Sequence, residues 1–223
     1  MLLAATQFLV VSGIDGCGKT TVIDELRRRL EREGVTTRYE WLRYNHRLVR
    51  PIHGLSRLIG LSRRRCIDGQ YVWRHEFYRS GLFSSFYILL TWLDAWLGRL
   101  MLTARLLPRK VDVVVCDRWV PDILVDLAVD TRRRRLLGGA WYARFMRIVP
   151  PASRQYLVVR DARRIVAARP DVVRDTSHSF RERLYRGFGR RASVVVVRNN
   201  GTVDAAVEAI FRDWKAWASP FSS

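Results

Sequence analysis

The residues best suited to chemistry fall in two short stretches. The first is Gly13-Ile14-Asp15-Gly16-Cys17-Gly18-Lys19-Thr20-Thr21, and the second is Asp117-Arg118, which closes the apolar run Val113-Val114-Val115-Cys116. The spacing G-x-x-x-x-G-K-[ST] of the first, met by Gly13, Gly18, Lys19 and Thr20, is that of a phosphate-binding loop. Glycines let the backbone wrap closely, so successive N–H groups point into one concavity that holds an anion. A helix starting at the lysine adds its positive N-terminal end. The chain has 37 arginines but three lysines, Lys19, Lys110 and Lys215, so a lysine at this place is selective. An ammonium is a compact point charge that reaches β- and γ-phosphates where the wide guanidinium fork does not fit. The Thr20 hydroxyl is suited to Mg²⁺, which takes few protein ligands and keeps most of its waters.

In an open α/β sheet, ligands bind at the carboxyl ends of the strands. Asp117 is therefore expected level with the phosphate loop, where an acidic residue orders the Mg²⁺ shell. Arg118 is expected to grip a second phosphate in bidentate fashion. A third stretch, Arg169-Pro170-Asp171-Val172-Val173-Arg174-Asp175, lies between two helical segments and combines arginines with a proline hinge. A lid over about 169–178 would exclude water and bring cations to a transferring group.

These residues need a frame, and the hydrophobic pattern supplies one. Strands are expected over 7–12, 35–41, 111–116, 155–159 and 192–197. Helices are expected over 19–33, 52–61, 77–106 (as one helix or a pair), 121–129, 131–147, 162–169, 179–190 and 203–217. The basic run at 62–65 reads as a turn. Ser179-Phe180-Arg181-Glu182 reads as a capping box. Strands alternating with helices imply a three-layer α/β fold, a five-stranded parallel sheet with helices on both faces and a short lid, in one domain over 1–223.

Composition narrows the function classes. Cys17, Cys66 and Cys116 are too few for a disulfide framework, and no signal sequence is read at the start, so a cytoplasmic location is expected. The apolar stretch Leu82–Leu97 contains Asp94 and falls short of a membrane span, so it reads as a core or dimer helix. The net charge of +19 admits nucleic acid as a partner. Arginine is spread along the whole chain, however, and no stripe of basic residues interleaved with aromatics marks a single-strand groove, which favours small anionic nucleotides.

Together, GIDGCGKTT, CDRW-PD, the arginine-rich lid followed by FRERLYRGF, and VVVVRNNGTVDAAVEAIF resemble the thymidylate kinase family. The resemblance implies a P-loop fold, ATP and Mg²⁺ held by the 13–21 loop, Asp117 acting near the metal, and Arg118 on the acceptor phosphate. It also implies that Asp15 binds a sugar hydroxyl of the acceptor, and that two copies pair through helix faces. Gly16 stands where some members carry a catalytic arginine, which passes that charge to Arg169 or Arg174 of the lid. Two positions depart from the family. Tyr39-Glu40-Trp41-Leu42-Arg43 lacks the usual proline, leaving Glu40 and Arg43 as substitutes in the acceptor pocket. Ala95 follows Asp94 where an arginine is common. The expected reaction is phosphoryl transfer from ATP to a nucleoside monophosphate such as dTMP. Two alternatives stay open. One is a related kinase acting on a nucleoside or a phosphorylated sugar, with Glu40 as base. The other is an ATP-binding protein with nucleic-acid affinity. Tyr71, Trp73, Phe77, Tyr78, Phe83 and Phe86 are available either to stack a base or to form core.

Overall fold

A computed structural model of the chain describes residues 6–43, 47–67, 70–169 and 177–219. Five strands, β1 (Gln7–Ser12), β2 (Thr37–Trp41), β5 (Val113–Asp117), β6 (Ser153–Val159) and β7 (Val194–Arg198), form one sheet in the order β2-β5-β1-β6-β7. Every pairing in it is parallel. β5 is buried along its whole length, as its near-continuous valines require of a strand covered on both faces. Alternate residues of β1 feed different cores. Leu9 and Val11 pack with helices α1 (Lys19–Arg32), α7 (His178–Gly189) and α8 (Val203–Ala218), while Phe8 and Val10 pack with α2 (Arg50–Leu58), α3 (Gly81–Leu106) and α5 (Ala140–Met146). Helix α4 (Val120–Thr131) contributes to both, and α6 (Ala162–Ala168) follows β6. The architecture is thus a three-layer α/β fold around a five-stranded parallel sheet.

Three local expectations change. Residues 62–65 are not a turn. They belong to β3 (Ser62–Ile67), which pairs antiparallel with β4 (Gln70–His75) in a hairpin separate from the main sheet. Within it Arg64 lies over the Tyr71 ring of the facing strand at 3.9 Å, which favours the extended form, and Arg57 of α2 covers Trp73 at 4.4 Å. The helix expected over 131–147 divides into a 3-10 turn, Arg134–Leu137, and α5, with Gly138-Gly139 between them. No capping box forms at Ser179. Helix α7 starts at His178, with Ser177 before it, and no side chain caps its first turn.

Among the described residues, no helix is long and apolar enough to cross a membrane. The lid lies mostly outside the described residues, which include Arg169, Ser177 and His178 but not Arg174.

Candidate active site

The phosphate loop joins β1 to α1, and its glycines are required by what surrounds them. Gly13, Gly16 and Gly18 all have positive φ, at 149°, 85° and 88°. A Cβ on Gly13 would lie 2.4 Å from the Val158 carbonyl oxygen of β6, and one on Gly18 would lie 2.4 Å from the Asn199 side-chain nitrogen. Asn199, just past β7, donates from that nitrogen to the Cys17 carbonyl at 2.9 Å, so the far edge of the sheet holds the loop. Among the described residues, the amides of Gly16, Gly18, Thr20 and Thr21 donate to no other group. They are the orphan donors of a helix start, the usual cradle of an anion. The buried Lys19 ammonium donates to the Ile14 carbonyl at 2.8 Å, inside the same loop. Thr20 and Thr21 are exposed at the start of α1.

Asp117 lies on the neighbouring strand, with Val11 of β1 as its register partner. The Tyr39 hydroxyl of β2 donates to its Oδ2 at 3.1 Å, while Oδ1 is buried and, among the described residues, has no hydrogen-bond partner. Burial raises the carboxyl above its ordinary range, against the pull of the Tyr39 hydrogen bond and the positive charges of Lys19 and Arg118. A buried acceptor left unpaired at a strand end, beside a lysine, suits a cation. With Thr20 it offers the hard oxygen donors that Mg²⁺ takes while keeping its waters. Among the described residues, no cluster of three or more His, Cys, Asp or Glu forms a fuller metal cage.

Arg118 adopts a left-handed backbone, φ 64°, and its guanidinium turns inward. It donates to the Gly13 carbonyl and to Asp122 Oδ1, each at 3.2 Å, and to Asp15. Asp122 is fully buried. It also accepts from the Ser12 and Tyr185 hydroxyls, both at 2.6 Å, and from the Trp119 amide at 3.2 Å. In this structure the Arg118 side chain braces the loop from beneath. Burial alone would raise the Asp15 carboxyl, but Arg118, Lys19, Arg43 and Arg181 bring it down to about 2.

One turn further along α4, Asp126 takes a bidentate contact from Arg43, at 2.9 and 3.1 Å, and a second guanidinium from Arg181 of α7. Arg43 also reaches Asp15 at 3.7 Å. The structure therefore brings Asp15, Lys19, Arg43, Asp117 and Arg118 into one connected region. Glu40 is held apart, its carboxylate paired with Arg38 at 2.7 Å and its register partner Cys116. Arg169 lies against the loop, where a Cβ on Gly16 would meet its side chain at 3.5 Å.

Leu42, Arg43, Thr91, Asp94, Trp119 and Ile123 line a cavity of about 20 Å³, room for one water rather than a base. Asp94 is occupied in accepting from the Arg47 and Leu48 amides just before α2. The six aromatics named above form no single platform. Phe77 is buried with Phe83 against it, Tyr71 and Trp73 stand on the hairpin, Tyr78 lies beneath Arg132, and Phe86 is exposed on α3. Cys17 and Cys116 are fully buried and burial raises both thiols, so neither is a reactive thiolate.

Asp122, Asp126, Tyr39, Tyr185, Arg181 and Asn199 were not singled out from the sequence. All but Asp126 lie in stretches quoted above, Asp122 in CDRW-PD, Arg181 and Tyr185 in FRERLYRGF, Asn199 after the last valine run and Tyr39 ahead of Glu40, but nothing in those stretches marked them individually. No family model matches this chain, and no curated protein matches it.

Two outcomes follow. Asp117→Asn removes a desolvated carboxylate that has one oxygen unpaired. Thermal melts above pH 6 should show the unliganded variant at least as stable as the parent, with a gain on the order of 1 kcal/mol. The second concerns Asp130, which burial and the Asp126 carboxylate raise to about 8, against Arg181, Arg43 and Arg74. The unfolded chain releases that proton near pH ~4. Between the two values the folded state binds more protons, so stability falls as pH rises. Asp130→Asn should flatten the decline in melting temperature between about pH 5 and 8.

Proposed function

We propose that this chain is an ATP-dependent phosphotransferase acting on a nucleoside monophosphate, with dTMP the acceptor to test first. The observation that carries the reading is the pairing of an orphan-amide loop around Lys19 with an unpaired Asp117 carboxylate oxygen on the adjacent strand. The amides and Lys19 would bind and orient the phosphate tail of ATP. The Asp117 and Thr20 oxygens would hold Mg²⁺, which when bound neutralises charge on the phosphates. A monophosphate dianion is already a nucleophile, so the protein supplies in-line positioning and positive charge rather than a base.

Arg43 and Asp15 face the acceptor side in this reading, with Asp15 paired to both Arg43 and Arg118. Arg169, beside the loop at Gly16, is the described lid cation that this reading assigns to the transferring group. Glu40 is committed to Arg38, which gives the nucleoside alternative with Glu40 as base no geometric support.

The functional unit in this proposal is a homodimer paired through α3. Leu82, Phe86, Leu89, Leu93 and Leu100 are all exposed on that 26-residue helix, at spacings of 4, 3, 4 and 7. That is the seam of a helix pair, while Tyr87, Ile88, Thr91, Ala95 and Leu102 point into the core.

Three measurements test these statements. ADP release in the presence of Mg²⁺ should depend on acceptor across dTMP, dUMP, CMP, UMP, AMP, GMP and free nucleosides. Transfer to nucleosides but not to monophosphates would overturn the acceptor class. Lys19→Ala should lower turnover by roughly 100-fold or more with an unchanged circular dichroism spectrum. A Leu89→Asp/Leu93→Asp double variant should elute as a monomer in light-scattering chromatography if the parent is a dimer through α3. Unchanged mass would remove that interface from consideration.

A further inference from the structure

We infer that the cleft between the 3-10 turn Arg134–Leu137 and helix α7 is a second anion site, built for a ligand carrying two or more phosphate groups. The cleft has a volume of about 510 Å³, the size of a small-molecule site, and four arginines, Arg134, Arg135, Arg183 and Arg191, line it with no carboxylate among its walls. None of the phosphate-loop residues, nor Asp117, takes part in it.

The state of those arginines is the argument. Around the candidate active site, Arg43, Arg118 and Arg181 are each paired with an aspartate. Among the described residues, none of the four cleft arginines is in an ion pair. Three rest instead on aromatic rings: Arg134 and Arg183 at 5.0 and 5.9 Å from Phe180, and Arg191 at 3.8 Å from Tyr142. A ring face orients a guanidinium without consuming its edge donors, the fork that meets phosphate in bidentate geometry. Arg191 spends one terminal nitrogen on the Leu137 carbonyl and interacts with the Tyr142 hydroxyl, while among the described residues its Nε has no partner. Cations gathered around a concavity focus a positive potential, and no carboxylate in the walls offsets it. A ligand with several negative charges offsets it. Leu137 and Leu184 add apolar surface for whatever carries the phosphates.

Helix α7 is common to both regions. Arg181 and Tyr185 reach Asp126 and Asp122 from one side of it, while Arg183 and Gly187 line the cleft. The inference does not depend on the phosphotransferase reading, and its test is separable from it.

The test is calorimetric titration of the full chain carrying Lys19→Ala, which disables the phosphate loop, with pyrophosphate and with ADP. One saturable site is expected, weakened at least tenfold by Arg134→Gln/Arg183→Gln. Gly187→Leu provides a second route. A Cβ there meets nothing within 4 Å, so the leucine extends into the cleft and blocks it with no charge removed. It should abolish binding to the same degree. Arg105→Gln/Arg109→Gln removes two exposed charges away from the cleft and should leave affinity unchanged. Equal affinity for the two probes assigns recognition to the phosphates alone, and ADP tighter by tenfold assigns it to a nucleotide. Three results overturn the site: no saturable binding, binding untouched by both cleft variants, or equal loss in the Arg105/Arg109 control.

Discussion

Asp122 has no exposure to solvent, yet four donors converge on its carboxylate: the Ser12 hydroxyl from β1, the Arg118 guanidinium from the turn after β5, the Trp119 amide from its own helix start, and the Tyr185 hydroxyl from α7. A buried carboxylate is tolerated only when its lone pairs are filled and a countercharge is near. Here that requirement fixes three segments around one point: the end of β1, the β5–α4 junction and α7. Arg118 carries the constraint onward. Its left-handed backbone turns the guanidinium beneath the loop, where it holds the Gly13 carbonyl and Asp15. Asn199 secures the loop from the opposite edge of the sheet. The unpaired loop amides thus lie on a braced backbone, in which the Gly13, Ile14 and Cys17 carbonyls each accept from a side chain.

The contiguous parts of this arrangement are legible in the sequence because their chemistry is local. A glycine-lysine-threonine loop between a strand and a helix, and an aspartate at the end of a valine run, declare themselves by spacing, and the parallel five-stranded sheet follows from alternation. Asp126 is not legible in this way. A carboxylate inside a helix reads as solvated surface, and only the fold brings Arg43 and Arg181 to it, from 83 and 55 residues away. The hairpin is obscured for a different reason. Its first strand carries arginines, one of them, Arg64, stacked on Tyr71, so charge stands where a strand normally shows apolar alternation. Asp94 reads in the sequence only as a charge inside an apolar helix, and the fold shows its task, accepting from the backbone amides ahead of α2. Arg174 lies outside the described residues.

Arginine takes on three kinds of work in this fold. Near the loop it pairs with buried or half-buried aspartates. Along helix surfaces it forms short-range pairs such as Arg186 with Glu182 and Arg212 with Glu208, which contribute little individually. Elsewhere it lies flat on rings, where the planar cation gains dispersion and quadrupole attraction that an ammonium obtains less well.

The scarcity of lysine reaches beyond the loop. Lys110 and Lys215 are exposed, whereas Lys19 is buried beneath its own backbone. Acylation of surface amines, whether enzymatic or spontaneous, could therefore cancel two of forty basic charges at most without entering the loop. Guanidiniums keep their protons at any physiological pH. The strongly cationic exterior is thus a nearly fixed property of the molecule, insulated from the metabolic state that tunes lysine-rich surfaces.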